Sequence, residues 1–110
     1  MTSVKFLADE KCILGFEISG HSSKNCDDEF GKIVCSAVSS AAYMTANTIT
    51  EIIGDKAEIK VDEALMRVTV DKPSEKTLDL LKGFKLHITE LSRQYSNNIK
   101  IHGGAKNVTD

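Results

Sequence analysis

The run GKIVCSAVSSAAYMTANTITEIIG occupies residues 31–54 and carries the clearest helical pattern in the chain. Its apolar side chains recur at spacings of three and four, which is the period of an amphipathic helix with one buried face. The run ends at Gly54, where a helix C-cap belongs. Its middle is rich in serine and alanine. A helix of this sequence can therefore lie close to a neighbouring sheet.

Two pairs of predicted strands flank this helix. Before it, Val4 and Phe6 alternate with polar neighbours, and residues 14–18 repeat the two-residue period after a polar turn. After it, residues 57–61 and 66–70 alternate in the same way around a second polar turn. Residues 21–31 have neither period, so they predict a long loop between the first hairpin and the helix.

A second helix is predicted to follow Pro73, with Ser74 as its N-cap. Its apolar stripe consists of Leu81, Phe84, Ile88, Leu91 and Tyr95. Ile99 and Ile101 then predict a short last strand. The element order is β-β-α-β-β-α-β, an α+β fold in which two helices pack on a mixed or antiparallel sheet. We expect one domain over residues 1–110, with a frayed tail at 105–110.

The composition limits the functions that this protein can have. Charged residues make up 27% of the chain and the net charge is -2. This balance lacks the bulk attraction to a phosphate backbone, so no direct nucleic-acid partner is expected. The N-terminus has no apolar signal region, and no window is long enough to span a bilayer. We therefore expect a cytoplasmic protein with reduced thiols, no membrane partner, no disulfide and no cofactor.

One histidine and one cysteine are placed so that they can meet. His21 directly follows the second predicted strand, and Cys35 lies in the first turns of the next helix. Unpaired amides at a helix start stabilise a thiolate, and an imidazole can take the thiol proton. A plainer interpretation stays open at this point, because a cysteine flanked by valine and alanine is usually a core side chain. The histidine can equally cap a turn.

The remaining chemically active side chains carry weaker signals. Cys26 lies in the predicted loop and could act as a metal ligand with this pair, but the spacing matches no zinc pattern, so no metal is expected. Cys12 is interpreted as a packing or exposed residue. His87 and His102 are expected on the surface. The acidic run at 27–29 is interpreted as a solvated segment that also suits the start of a helix.

A sequence motif adds to this interpretation. Gly20 and His21, followed after the loop by IVCSAVSS at residues 33–40, closely resemble the ribosomal-processing cysteine protease family, whose pattern is GH…G-x-D-I-V-C-A-A-V-S. Chain length and element order agree with that family along nearly the whole chain. The resemblance implies a hydrolase of the thiol protease class that acts in ribosome biogenesis. It removes the N-terminal extension of large-subunit ribosomal protein twenty-seven, and it is a homodimer.

The resemblance also implies a role for individual residues. The catalytic histidine of the family falls on His21 and its nucleophile on Cys35. The serine that follows four residues later falls on Ser39, which is expected to contact substrate together with Gly20. One position departs from the family pattern, because the aspartate three residues before the cysteine is replaced by Lys32.

Three alternatives belong to other classes. A histidine phosphocarrier also places a histidine beside a helix start, but it carries an arginine directly afterwards, where this chain has Ser22. A non-catalytic ribosome-assembly factor that binds a basic protein tail suits the acidic run at 27–29, especially if Lys32 disables the site. An RNA-binding α+β domain would need exposed aromatic side chains, and aromatic residues make up only 5% of this chain.

Overall fold

A computed structural model of the chain describes residues 1–20 and 29–103. Its strands are β1 (Thr2–Ala8), β2 (Ile13–Ser19), β3 (Ala57–Asp62), β4 (Leu65–Val70) and β5 (Ile99–Gly103). Its helices are α1 (Glu29–Asn47) and α2 (Glu75–Gln94). The predicted element order and α+β class are confirmed. The part of the predicted loop at 21–28 and the predicted tail at 105–110 lie outside the described residues.

The five strands form one mixed sheet in the order β3-β4-β2-β1-β5. Neighbouring strands are antiparallel except β1 and β5, which run parallel. Register places Phe6 opposite Phe16 and Phe16 opposite Val68, so these side chains share one face of the sheet. All three are at most 1% exposed. Both helices pack on this face, and the hydrophobic core lies between them and the sheet.

The first hairpin turns where the sequence predicts it. One carboxylate oxygen of Asp9 accepts hydrogen bonds from the backbone amides of Lys11 at 2.8 Å and Cys12 at 2.9 Å. An aspartate side chain that bonds its own backbone in this way mimics a turn and satisfies amides that the strands leave unpaired. The polar turn is therefore held by hydrogen bonds between residues that are close in sequence.

The helix α1 differs from the prediction at both ends. It begins at Glu29, so the last three residues of the predicted loop are helical. At its other end, Thr48–Ile53 is π-helical, and the amide of Gly54 donates to the carbonyl of Ile49 at 2.9 Å. This i→i−5 bond widens the last turn and changes the helical period. The apolar side chains of residues 31–54 were predicted to share one buried face, but Ile52 is consequently 79% exposed.

The helix α2 agrees with its prediction. The hydroxyl oxygen of Ser74 accepts a hydrogen bond from the amide of Thr77 at 3.4 Å, which confirms the N-cap. The ring of Phe84 packs against Phe16, with centroids 4.4 Å apart, and against Phe6, with centroids 6.0 Å apart. This aromatic cluster fixes the helix over the centre of the sheet, since stacked rings bury large apolar areas.

Candidate active site

The strand β2 ends against the turn between β3 and β4. The amide of Gly20 donates a hydrogen bond to the carbonyl oxygen of Ala64 at 3.1 Å. Gly20 has a φ of +72°, and a Cβ atom at this position would lie 2.8 Å from the carbonyl oxygen of Met1. Only glycine meets both conditions without strain. The backbone that leads into His21 is therefore fixed, while His21 itself lies outside the described residues.

Cys35 lies on α1 and is buried. It is 6% exposed and sits between the fully buried side chains of Val34 and Val38. As the seventh residue of the helix, it comes after the first turn, whose amides have no partner within the helix. Its own amide belongs to the i→i−4 ladder. The unpaired amides of this helix start therefore belong to the first turn and not to Cys35 itself, and their stabilisation of its thiolate stays a prediction.

The first turn of α1 lies at the same end of the sheet as Gly20. The ring of Phe30 contacts that of Tyr95, with centroids 6.2 Å apart. The carbonyl of Tyr95 accepts from the amide of Asn98 at 2.9 Å, and the carbonyl of Asn98 accepts from the amide of Thr2 at 2.9 Å. The following residue, Ser3, pairs with Ser19 at the end of β2. The end of β2 and the first turn of α1 thus lie at the same end of the sheet. That His21 and Cys35 meet there stays a prediction.

The two neighbours of Cys35 on the helix differ in exposure. Ser39 follows one turn later, about 40° around the helix axis, and is half-buried. Lys32, which replaces the family aspartate, precedes Cys35 by three residues and is exposed. Ser39 therefore shares the face of the nucleophile candidate, and Lys32 places a positive charge near the start of the same helix.

The other predicted candidates are distributed over the molecule. Cys12 is half-buried beside the Asp9 turn. Burial and the nearby Asp9 carboxylate raise the pKa of the Cys12 thiol, which disfavours its thiolate. His87 and His102 are exposed, as predicted. Cys26 and the acidic run up to Asp28 lie outside the described residues.

A groove on the helical side of the molecule does not include Cys35. This groove, of about 680 Å³, runs between α1 and α2 and is lined by Ala37, Ala41, Met44, Gly83 and Phe84, among others. At about 100° per residue, its α1 residues point between about 80° and 180° away from Cys35. The sequence pattern did not predict this groove. Its only signals were the run of small residues on α1 and a glycine in the middle of α2.

The described residues hold neither a metal cluster nor a membrane-spanning helix. Within 1–20 and 29–103, no group of three or more His, Cys, Asp or Glu side chains is arranged to hold a metal ion. Neither helix among these residues combines the length and the hydropathy that crossing a bilayer requires.

Comparison with known proteins identifies related sequences and folds. The sequence model of the family described as "Cysteine protease Prp" matches residues 1–100. No curated protein matches the chain by sequence. A crystal structure from Streptococcus mutans is similar at a TM-score of 0.83 and 23% identity, and the match covers 94% of this chain and 98% of that one.

Two similar structures come from Staphylococcus aureus, and both are described as an essential ribosomal processing protease Prp. One is in complex with a substrate peptide, with a TM-score of 0.83 and 18% identity. The other is in complex with a covalently linked product peptide, with a TM-score of 0.78 and 18% identity. Each match covers 94% of this chain and 99% of the other. At these identities the likeness establishes the shared fold.

Proposed function

Because this chain belongs to the cysteine protease Prp family and is therefore a cysteine peptidase, we propose that it processes a ribosomal protein during ribosome biogenesis. Its substrate is the N-terminal extension of large-subunit ribosomal protein twenty-seven, and its place of action is the cytoplasm. The family match over residues 1–100 carries this proposal. A supporting observation is that the S. aureus relatives, described as ribosomal processing proteases, hold a substrate peptide and a linked product peptide.

The reaction proceeds through a covalent intermediate on Cys35. His21 takes the proton of the thiol, and the thiolate sulfur attacks the carbonyl carbon of the scissile peptide bond. His21 then gives the proton to the leaving nitrogen, the C–N bond breaks, and a thioester remains on Cys35. A water molecule, deprotonated by His21, attacks the thioester. The carbon–sulfur bond breaks, and the acid product and the thiol are released.

The position of Cys35 on the helix bears on how its thiol is activated. A helix dipole acts mainly within the first turn, and Cys35 is the seventh residue of α1. We therefore assign the main activation to the imidazole of His21. For the same reason, the oxyanion accepts hydrogen bonds from groups other than the Cys35 amide. Ser39 and Gly20 contact the substrate.

We also propose that the protein is a homodimer, with the groove between α1 and α2 as the contact surface. Met44 in the groove is 57% exposed, and Leu86, elsewhere on α2, is 62% exposed. A Cβ atom added to Gly83 would meet nothing within 4 Å, so the groove has room for an entering side chain. A surface with both protruding apolar side chains and a recess can pair with its own copy around a two-fold axis.

A second candidate function rests on one observation. Lys32 is exposed at the position where the family carries aspartate. If that aspartate is essential for orienting the histidine, the chain would bind a basic ribosomal tail without cutting it and act as an assembly factor.

One experiment separates the two functions. Purified protein is incubated with a peptide spanning the N-terminus of the host ribosomal protein, and products are followed by mass spectrometry. We expect a single cut by the wild type and by Cys12→Ala, and none by Cys35→Ala. If all three proteins bind the peptide and none of them cuts it, the peptidase assignment is wrong and the protein acts as an assembly factor.

A further inference from the structure

The strand β3 forms an open edge of the sheet. In the order β3-β4-β2-β1-β5, it pairs with β4 on one side, and none of the described strands lies on the other. Five of its six residues are exposed and Ala57 is half-buried. An unpaired strand leaves backbone amides and carbonyls available for pairing with another chain. This edge is therefore able to accept an additional strand.

The side of β3 that faces the helices is apolar but not covered. Ile59 pairs with Val68 and Val61 pairs with Met66, so all four side chains share the core face of the sheet. Val68 and Met66 are at most 1% exposed, whereas Ile59 is 42% and Val61 is 50% exposed. The helices thus cover β4 and stop short of β3. Two adjacent apolar side chains remain in solvent along the edge.

The free edge leads to the candidate active site. Asp62, the last residue of β3, pairs with Leu65, which in turn pairs with Ser19. The adjoining turn accepts the hydrogen bond from Gly20 through the carbonyl of Ala64. A peptide that lies along β3 therefore reaches the same end of the sheet as Gly20, with β3 and β4 between them.

The opposite face of β3 carries an ordered charge pattern. Glu58, Lys60 and Asp62 alternate with the apolar residues and are all exposed. Cross-strand neighbours of opposite charge stabilise a pair of strands, and like charges destabilise it. An added strand is therefore favoured when it places basic residues opposite Glu58 and Asp62.

We propose that β3 is a docking edge for the substrate, which adds to the sheet as a sixth strand. The occupant is an extended peptide whose apolar side chains lie over Ile59 and Val61 and whose basic side chains lie opposite Glu58 and Asp62. Backbone hydrogen bonds supply affinity, and the alternating side chains supply specificity. This inference rests on the proposed peptidase function and adds a contact region about 20 Å long, from six residues of strand.

The first arm of the test compares two peptides on the wild type, one double variant and one control variant. A short peptide spans only the cleavage site, and a long one adds six residues with alternating apolar and basic character. For the wild type, we expect KM for the long peptide to be roughly tenfold below that for the short one, the size expected for a few cross-strand pairs. Ile59→Thr/Val61→Thr should remove this advantage and leave kcat/KM for the short peptide unchanged. Ile52→Thr is the control at an exposed isoleucine outside β3.

Charge reversal provides a second arm. Glu58→Lys/Asp62→Lys should weaken binding of the long peptide to the Cys35→Ala protein by roughly tenfold in fluorescence anisotropy. Glu10→Lys/Asp71→Lys makes the same change in net charge at exposed positions outside β3 and should leave binding unchanged. Equal weakening by both double variants would overturn the docking edge, because it would reflect net charge alone.

The outcomes distinguish this inference from the proposed function. If the wild type cuts both peptides with the same KM, the edge does not bind substrate although the peptidase stands. If neither peptide is cut but the Cys35→Ala protein binds the long one through β3, the edge stands although the peptidase fails. If Ile59→Thr/Val61→Thr instead turns a dimer into a monomer in sedimentation, a second copy covers the edge and the proposal is wrong.

Discussion

The amide of Gly20 donates a hydrogen bond to the carbonyl of Ala64 at 3.1 Å and joins the end of β2 to the turn between β3 and β4. This bond connects the three strands at the end of the sheet where α1 begins. The chain is therefore held by the sheet up to Gly20, the residue that precedes His21 in the sequence. Cys35 is carried by α1.

Replacing this glycine should damage both stability and activity. Gly20→Ala places an L-residue at a φ of +72° and a Cβ atom 2.8 Å from the carbonyl oxygen of Met1. Gly54→Ala is the matched control, because it has a φ of +88° and nothing within 4 Å. We expect the control to lose about 1–2 kcal/mol in urea denaturation, the cost of the left-handed region. Gly20→Ala should lose clearly more and should also cut more slowly. Equal losses would show that the contact with Met1 relaxes freely.

A hydrogen-bonded carboxylate makes the fold sensitive to acid. One oxygen of Asp55 accepts from both the amide and the hydroxyl of Ser74 at 2.8 Å, joining the start of β3 to the cap of α2. The Ser74 amide, followed by side-chain donors, holds the pKa of Asp55 below its ordinary value. A lowered pKa in the folded state contributes stability above the unfolded value, near 4, that is lost as the pH falls through the folded value.

The lowered pKa of Asp55 predicts how the stabilities of the wild type and of Asp55→Asn differ with pH. The free energy of unfolding of wild type should exceed that of Asp55→Asn by a constant amount between pH 5 and 7, and the difference should shrink below about pH 4. Denaturant titrations at several pH values measure it. A difference that stays constant down to pH 2 would mean that the carboxylate charge does not matter.

The thiol of Cys12 should react slowly at neutral pH. Burial and the Asp9 carboxylate raise the pKa of Cys12, so little thiolate forms there at pH 7. Iodoacetamide should alkylate Cys12 more slowly than it alkylates the amino acid cysteine in solution, as measured by peptide mapping. The rate at Cys12 should rise only in alkaline buffer. Cys12→Ala should retain full cleavage activity. Rapid modification of Cys12 at pH 7 would contradict the direction of this pKa shift.

The groove between the helices should control self-association. Met44→Glu/Leu86→Glu introduces one charge in the groove and one elsewhere on the exposed surface of α2, and it should convert a dimer into a monomer in sedimentation velocity. Because both side chains are exposed in the single chain, the free energy of unfolding should change by only about 0.5 kcal/mol per site. Ile52→Glu, at another exposed apolar residue, is the control. Dimers that persist in the double variant would place the contact elsewhere.

The elements with local signals could be predicted from sequence. Three such predictions are confirmed: the two-residue period of β2, the cap at Ser74 and the cap at Gly54. Each depends on interactions between residues that are close in sequence. The exposure of Ile52 could not be predicted, because it depends on a π-helical turn that has no simple pattern. The same holds for the helix start at Glu29, since an acidic run suits both a loop and a first helical turn.

Features that depend on contacts between residues distant in sequence could not be predicted from the sequence pattern. The parallel pairing of β5 with β1 joins residues nearly a hundred positions apart, and no local period specifies it. The alternation around Ile59 and Val61 predicts an ordinary half-buried strand. That both side chains are exposed depends on how far the helices extend over the sheet, which no local pattern specifies. For the site, the motif predicted the residues, whereas the depth of Cys35 within α1 required the structure.

The central claim is that Cys35 forms a covalent bond with the substrate, and trapping that bond tests it most directly. Enzyme and peptide are mixed for a single turnover, quenched in acid and analysed by intact mass and peptide mapping. We predict a transient thioester on Cys35 in wild type and Cys12→Ala, and its absence in Cys35→Ala. Cleavage at the wild-type rate by Cys35→Ala, or an acyl group mapped to any other residue, would contradict the assignment.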